Sequence, residues 1–304
     1  MNFSFTEPQQ VAADALAHML ARFRDRPVHT ESYLSGSALD AELEVSGFHD
    51  IGADPDLGAV SAIDLVIQVT RLAPPVEIAA STLVRPRLCP ETPRPLALVR
   101  STGPVRFGAE ARTALIATAD QVMRLHVQPG DFESLTTLFA YPLAKLTDAA
   151  RARAVPLEAA DAPGLLRQYW EIGLAAEITG AMESALKSTI DYVTQRKQFG
   201  QPIGAFQAVQ HRLAEAAVLL EATRWLTFKA ANSGEPADAA LAAGYAQDAA
   251  RRVAYDFHQF HGAMGLTLEH SLHLWTYRLR TLLGELGGAA ARFDSAAAAV
   301  WGNP

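Results

Sequence analysis

The sequence holds one cysteine, Cys89, among 304 residues. No disulfide can close within the chain, and no thiolate cluster for zinc is available. It has no run of about 20 apolar residues, the length a bilayer-crossing helix requires. It has no GxGxxG turn and no GxxxxGK[ST] loop, so neither common phosphate-binding fingerprint is expected. Cations are the minority charge: 26 Lys and Arg stand against 33 Asp and Glu, for a net charge of −7. Without a basic cluster there is no electrostatic footprint for nucleic acid. HExxH is also missing. His258, His261, His270 and His273 lie close in sequence, but histidines grouped on helices are more often polar core residues, and no metal is expected. The opening MNFSFTEPQQ lacks a cationic start followed by an apolar run, so it is not read as a secretory leader. A cytoplasmic protein without membrane contact is expected.

What is present has three textures. Hydrophobic residues make up 49% of the chain, enough for a sizeable core. Residues 1–85 carry helical periodicity. Thr6 is a fitting N-cap for a first helix whose Val11, Leu16, Met19, Leu20 and Phe23 share one face. AVSAIDLVIQVTRLAPP reads as a buried helix stopped by Pro74 and Pro75. Between 86 and 158 the periodicity fades into short apolar runs (PLALVR, TALIATA, QVMRLHVQ, LTTLFAYPLAKL). The turn signals STGP, QPGD and TDAA separate them, which predicts a small antiparallel β domain. From 163 to 304 the chain is helical again. The first helix there is too long and too rich in alanine for a surface position. A second starts near Ala205 and stops at NSGEP. A third runs to about His261, and a fourth covers TLEHSLHLWTYRLRTLLGEL. The expected architecture is mainly α with a small β domain, closed by a four-helix bundle.

Two interruptions of this bundle carry candidate chemistry. In YVTQRKQFGQPIGAFQAVQH, Arg196 and Lys197 end a helix, where cations suit the macrodipole. That is the plain reading. However, Gly200, Pro202 and Gly204 then force a tight excursion before the next helix, and glycines let backbone approach a ligand. A guanidinium at such a rim clamps a pyrophosphate with paired hydrogen bonds. Phe199 and Gln207 suit an adenine or ribose. In FHQFHGAMGLTLEH, Gly262 and Gly265 make a loop between helices and Gln259 supplies an amide; a C-cap followed by a turn is the plain reading there.

Together the two stretches resemble the C-terminal domain of the acyl-CoA dehydrogenases, and FSFTEPQQVAADAL resembles the family's opening helix. The helical, β, helical order is the family's as well. The resemblance implies FAD shared between two subunits, with this chain offering its bundle to the pyrophosphate and adenine half. It puts Arg196 at the pyrophosphate and Phe199 on the adenine side. Gln207 and Gln259 become polar contacts, and Gly262 and Ala263 a close backbone approach. The departures are equally informative. The chain is shorter than family members, and ETPRPLALVRSTGPVRFGAEARTALIA lacks the family's flavin-contacting segments. At the two places where the family keeps its catalytic glutamate stand Glu285, in LLGELGG, and Trp170 followed by Glu171. No base is assigned.

The pattern resembles the shortened subunit of heteromeric α2β2 acyl-CoA dehydrogenases acting on steroid side-chain CoA thioesters. That resemblance implies a full-length homologue as partner, an acyl-CoA substrate and an electron acceptor such as electron-transfer flavoprotein. The alternatives are a self-sufficient homo-oligomeric enzyme with Glu285 as base and a purely structural or regulatory subunit.

Overall fold

The computed structural model describes residues 4–28, 33–100, 103–118, 120–138 and 140–302. The N-terminal part holds α1 (Glu7–Leu20), α2 (Ser37–Val45), α3 (Gly58–Thr70) and, after a π turn, α4 (Arg85–Leu88). Thr6 caps α1 as expected, and the structure adds a reciprocal capping box with Gln9. Leu16, Met19 and Leu20 are buried, but Val11 is 64% exposed. Five residues at about 100° each put Val11 some 140° from Leu16, off the apolar face. Phe23 lies past the end of α1 in a 3-10 turn. Helix α3 is buried almost all round. It ends at Thr70, before Pro74 and Pro75 are reached, and the Arg71 carbonyl accepts from Ser184 Oγ and Trp275 Nε1 instead.

The middle part has seven short strands: β1 (Leu96–Val99), β2 (Val105–Arg106), β3 (Thr113–Ala117), β4 (Val122–His126), β5 (Phe132–Leu135), β6 (Leu143–Leu146) and β7 (Val155–Pro156). They form two sheets, ordered β1-β3-β4-β7 and β2-β6-β5. The expectation of an antiparallel domain needs one correction. Strands β1 and β3 run parallel, Leu96 opposite Thr113, because the chain crosses to the second sheet through β2 before returning. TDAA is not a turn. Thr147 caps a short helix, α5 (Asp148–Ala152). Of STGP, Ser101 and Thr102 lie outside the described residues. Val99, Val105, Ile116, Leu125 and Leu146 from the two sheets share one small core.

The C-terminal part contains α6 (Ala162–Gln195), a hairpin of β8 (Lys197–Gln198) and β9 (Gln201–Pro202), α7 (Gln207–Ser233), α8 (Pro236–His261), α9 (His273–Leu282) and α10 (Gly288–Trp301). The expected fourth helix, over 267–286, is shortened to α9, and α10 follows it as a further helix. Gly284, Gly287 and Gly288 punctuate GELGG, and positive φ at Leu286, Gly287 and Gly288 turns the chain there. The bundle is therefore α6, α7, α8 and α10, with α9 packed on α6. At Gly180 a Cβ would meet the Ile67 carbonyl at 2.3 Å, so α6 and α3 approach more closely than any side chain would allow. Buried Arg278 donates to the carbonyls of Leu274 at 2.6 Å and Leu72 at 2.7 Å, tying α9 to the end of α3.

Candidate functional site

Helix α6 ends at Gln195, and Arg196 is extended. The β8–β9 hairpin follows, with Phe199 and Gly200 as its two loop residues at φ 56° and 82°. Such a loop needs left-handed backbone at both positions. Glycine adopts it freely, whereas a phenylalanine there costs roughly 1–2 kcal/mol. The Phe199 side chain is 90% exposed and meets only the edge of Phe206, at 6.1 Å. A large apolar ring is thus held outward on strained backbone and covers almost nothing in its own chain.

One turn before the helix end, Tyr192 stacks on His261 at 4.3 Å, which brings the ends of α6 and α8 together. Arg212 pairs with Asp256, setting the start of α7 beside the end of α8. Arg196, Phe199, Gln207, Gln259, Gly262 and Ala263 consequently gather at one end of the bundle, and all are exposed. Among the described residues no hydrogen bond or ion pair holds the side chains of Arg196, Gln207 or Gln259. Gly262 has φ 56°, and the space a Cβ would take is open. A free guanidinium, two free amides and an open stretch of backbone can receive a phosphate-bearing ligand.

A cavity of about 430 Å³ lies between the β sheets and α6, where the chain changes from strand to helix packing. Val84, Leu96, Leu98 and Leu174 give it apolar walls, while Arg106, Trp170, Glu177 and Glu285 bring polar groups into it. Arg106 donates to both oxygens of Glu177, at 2.9 and 2.8 Å, and through Nε and Nη2 to Glu285. Trp170 Nε1 donates to the second oxygen of Glu285 at 3.0 Å. Gln247 holds the turn beneath by donating to the carbonyls of Leu282 and Glu285. Burial pushes the Glu177 carboxyl up, with Arg106 working against it. Burial also disfavours the Arg106 charge, yet Glu177 and Glu285 hold that guanidinium firmly protonated. Both oxygens of Glu285 are occupied, so the residue at one of the family's base positions is not a free carboxylate in an apolar pocket.

At the other base position Trp170 donates to Glu285, and the next residue, Glu171, is buried and paired with Arg292. Burial raises the Glu171 carboxyl to about 7. Sequence reasoning did not find Arg106 or Glu177. Glu177, a lone acid within the apolar stretch of α6, was the one available signal. Its partners are 71 residues away for Arg106 and, from Arg106 on, 179 residues to Glu285, distances only a fold closes.

The acyl-CoA dehydrogenase C-terminal domain matches residues 171–293. Over those residues, about two-fifths of the chain, the sequence is that of an acyl-CoA dehydrogenase C-terminal domain. Over 105 residues it is 41% identical to acyl-CoA dehydrogenase IpdE2 of Mycobacterium tuberculosis, which covers 34% of this chain and 33% of that protein. The matched part is thus about a third of the length of such curated relatives. The fold extends the likeness to the whole chain. A chain of the ChsE4-ChsE5 complex from Mycobacterium tuberculosis superposes with a TM-score of 0.80 at 20% identity, covering 100% of both chains. A chain of the Tcur3481-Tcur3483 steroid ACAD G363A variant does so with a TM-score of 0.76 at 23% identity, covering 97% of this chain and 96% of that one. At such identities the likeness is one of fold. This acyl-CoA dehydrogenase fold is mainly helical with a small β part. No helix among the described residues is long and apolar enough to cross a membrane.

Proposed function

We propose that this chain is one subunit of a heteromeric, FAD-dependent acyl-CoA dehydrogenase and that it completes the cofactor site of a full-length homologue. The observation that carries the reading is the contrast between its two ends. Arg196, Phe199, Gln207, Gln259, Gly262 and Ala263 are exposed at one end of the bundle, with no hydrogen bond or ion pair to the side chains of Arg196, Gln207 or Gln259 among the described residues, while Glu285 is bound by Arg106 and Trp170. The donor set fits the phosphate and adenine half of FAD. Arg196 would hold the pyrophosphate, Gln207 and Gln259 would donate or accept at its polar edges, Gly262 and Ala263 would let the chain lie close, and Phe199 would cover the adenine side. FAD supplies the hydride acceptor for α,β-desaturation of an acyl-CoA thioester.

The residues of this chain bind and orient; the proton is taken by a carboxylate of the partner. An α2β2 assembly and an acceptor such as electron-transfer flavoprotein belong to the same reading. The likeness to a steroid ACAD complex supports a steroid side-chain CoA ester as substrate. Expression with a full-length homologue tests it. The expected product is a yellow heteromer with one FAD per pair of unlike subunits, whereas the chain purified alone is colourless and inactive. Flavin near one per chain together with turnover by this chain alone would favour the self-sufficient alternative and overturn the proposal.

A further inference from the structure

The turn that carries Gly262 and Ala263 has an unusual backbone and no side-chain cap. Gly262 ends α8 at φ 56° and ψ −135°, and the 3-10 turn Gly262–Leu266 follows it directly. Only glycine adopts that conformation cheaply, and such a segment keeps one geometry only where its surroundings fix it.

Three aromatic rings and a fourth imidazole provide those surroundings. His258, in the last turn of α8, has Nδ1 at 2.8 Å from the Gly265 carbonyl. A carbonyl only accepts, so Nδ1 carries the proton and donates. This bond folds the turn back onto the end of α8. Gly265 is packed there so closely that a Cβ would come within 2.8 Å of His261 Cβ and 3.2 Å of the His258 carbonyl. His261 Nδ1 donates in the same way to the Phe257 carbonyl, at 2.7 Å, and so fixes its ring on its own helix. Tyr192 stacks on that ring and donates through its hydroxyl to the His261 carbonyl at 3.4 Å. The His270 ring lies 4.4 Å from His261 and 5.5 Å from Tyr192. The ends of α6 and α8 and the stretch before α9 therefore meet next to Gly262. Burial pushes His258 and His261 below the ordinary imidazole value, so both are neutral at pH 7. Their Nε2 atoms are buried and have no partner among the described residues, which leaves Nδ1–H as the working donor of each. Of these imidazoles, His258 is the one bonded to the turn itself.

We propose, resting on the cofactor reading, that His258 is a positioning residue for the half-site: its Nδ1–H holds Gly265, and through it sets the turn so that the backbone of Gly262 and Ala263 stays open to the dinucleotide. His258 acts through the turn and does not touch the ligand. The space beside Gly262 is open, with nothing within 4 Å of a Cβ placed there. A turn released from His258 loses the one geometry that keeps it so.

Titration of FAD into the apo heteromer, formed with a full-length homologue, tests this with wild type, His258→Gln, His258→Asn and Arg196→Ala. Asparagine places its amide nitrogen where the imidazole holds Nδ1 and can donate to Gly265. Glutamine places its amide one bond further out and cannot. His258→Gln is expected to raise the FAD dissociation constant about three- to tenfold, the effect of one lost hydrogen bond, and His258→Asn to restore most of the affinity. Without FAD, hydrogen exchange in the Gly262–Leu266 turn should quicken in the glutamine variant and not in the asparagine variant. A residue that only stabilised the fold would lower the urea midpoint and leave the FAD constant of the folded heteromer unchanged. If Arg196→Ala weakens FAD but His258→Gln does not, this assignment falls and the cofactor reading stands. If neither variant changes FAD affinity, both fall. An affinity loss that asparagine does not restore, or unchanged exchange in the turn, would also overturn the assignment.

Discussion

Helix α6 joins two regions built on opposite principles. Around its middle, Arg106 meets Glu177 and Glu285 in a cavity where Arg106, Glu177 and Glu285 are each at most 16% exposed in their side chains. Each of these three charges has a partner. At its C-terminal end Arg196 stands in solvent with none, beside an exposed Phe199 on left-handed backbone. The first region holds its charges with its own chain, so it has nothing free to offer a substrate proton. The second has exposed polar groups without side-chain partners among the described residues, an apolar ring that meets Phe206, and open backbone. Within one fold, the position where the family does chemistry is closed by ion pairs, and the position that the proposed function gives to a neighbour's cofactor is left open.

The largest effect that would break this comparison comes from the closed region. Arg106→Met leaves Glu177 buried without its cation, and removal of one partner from a buried ion pair costs about 3–5 kcal/mol. Urea denaturation of the chain should show that loss, and adding Glu177→Gln and Glu285→Gln should recover most of it. A stability change below about 1 kcal/mol for Arg106→Met would mean the cluster is only a solvated surface pair.

Arg196→Ala is the matching test of the open region. In the partnered enzyme it is expected to weaken FAD ten- to hundredfold, from the loss of charge-assisted hydrogen bonds worth about 1.5–3 kcal/mol. Assembly should be retained, and stability should change by no more than a helix-end cation contributes, about 0.3–1 kcal/mol. Lysine at 196 should restore only part of the affinity, because it lacks the planar fork. Equal FAD dissociation constants would reduce Arg196 to a helix-end charge.

Phe199→Asn sharpens the comparison further. Asparagine accepts left-handed backbone, so the isolated chain should gain up to about 1 kcal/mol in thermal or urea unfolding. FAD retention in the heteromer should fall at the same time. Gain in stability with no change in FAD would show that the exposed ring serves neither cofactor nor partner.

A pH signature that differs between the ends of α6 gives a further comparison. His261, stacked on Tyr192, has its imidazole pushed down from 6.5 to about 4, mainly by burial and further by His270 and His258. The unfolded chain binds that proton more readily, so His261 contributes stability above about pH 6.5 that is lost as pH falls toward 4. Glu171, near the start of α6, has the opposite sign. Burial raises it from 4.5 to about 7 against the pull of Arg292, so the folded chain holds the proton more tightly. Its contribution is full below about pH 4.5 and is lost as pH rises through 7. Stability curves of His261→Gln and Glu171→Gln between pH 4 and 8 should therefore depart from wild type in opposite directions. Departures of the same sign would mean that one of the two environments is misassigned.

Much of the open region was legible in the sequence. QRKQFGQPIG announces a helix end, a two-residue turn and a restart by its own glycines and proline, and local backbone rules suffice to place Arg196 and Phe199 at the surface. The cap at Thr6, the stop at NSGEP and the end of α8 at His261 were readable for the same reason: each depends on residues three or four apart. The long alanine-rich α6 announced its central place through composition.

Tertiary structure alone decided the rest. The parallel pairing of β1 with β3 follows from a crossover between sheets, which no strand's own residues encode. The last predicted helix, over 267–286, keeps only α9, because the chain turns through 267–272 before it and at Leu286 and the neighbouring glycines after it. Arg106 reads as an ordinary strand residue, and Glu285, although named from the sequence at a base position, shows no sign of its ion pair until folding brings both together with Glu177 and Trp170. Hydrophobic period and turn chemistry act over a few residues and are written in the local sequence. Charge pairing in a low-dielectric cavity depends on groups from distant segments meeting away from water, and only the packed fold fixes which of them meet.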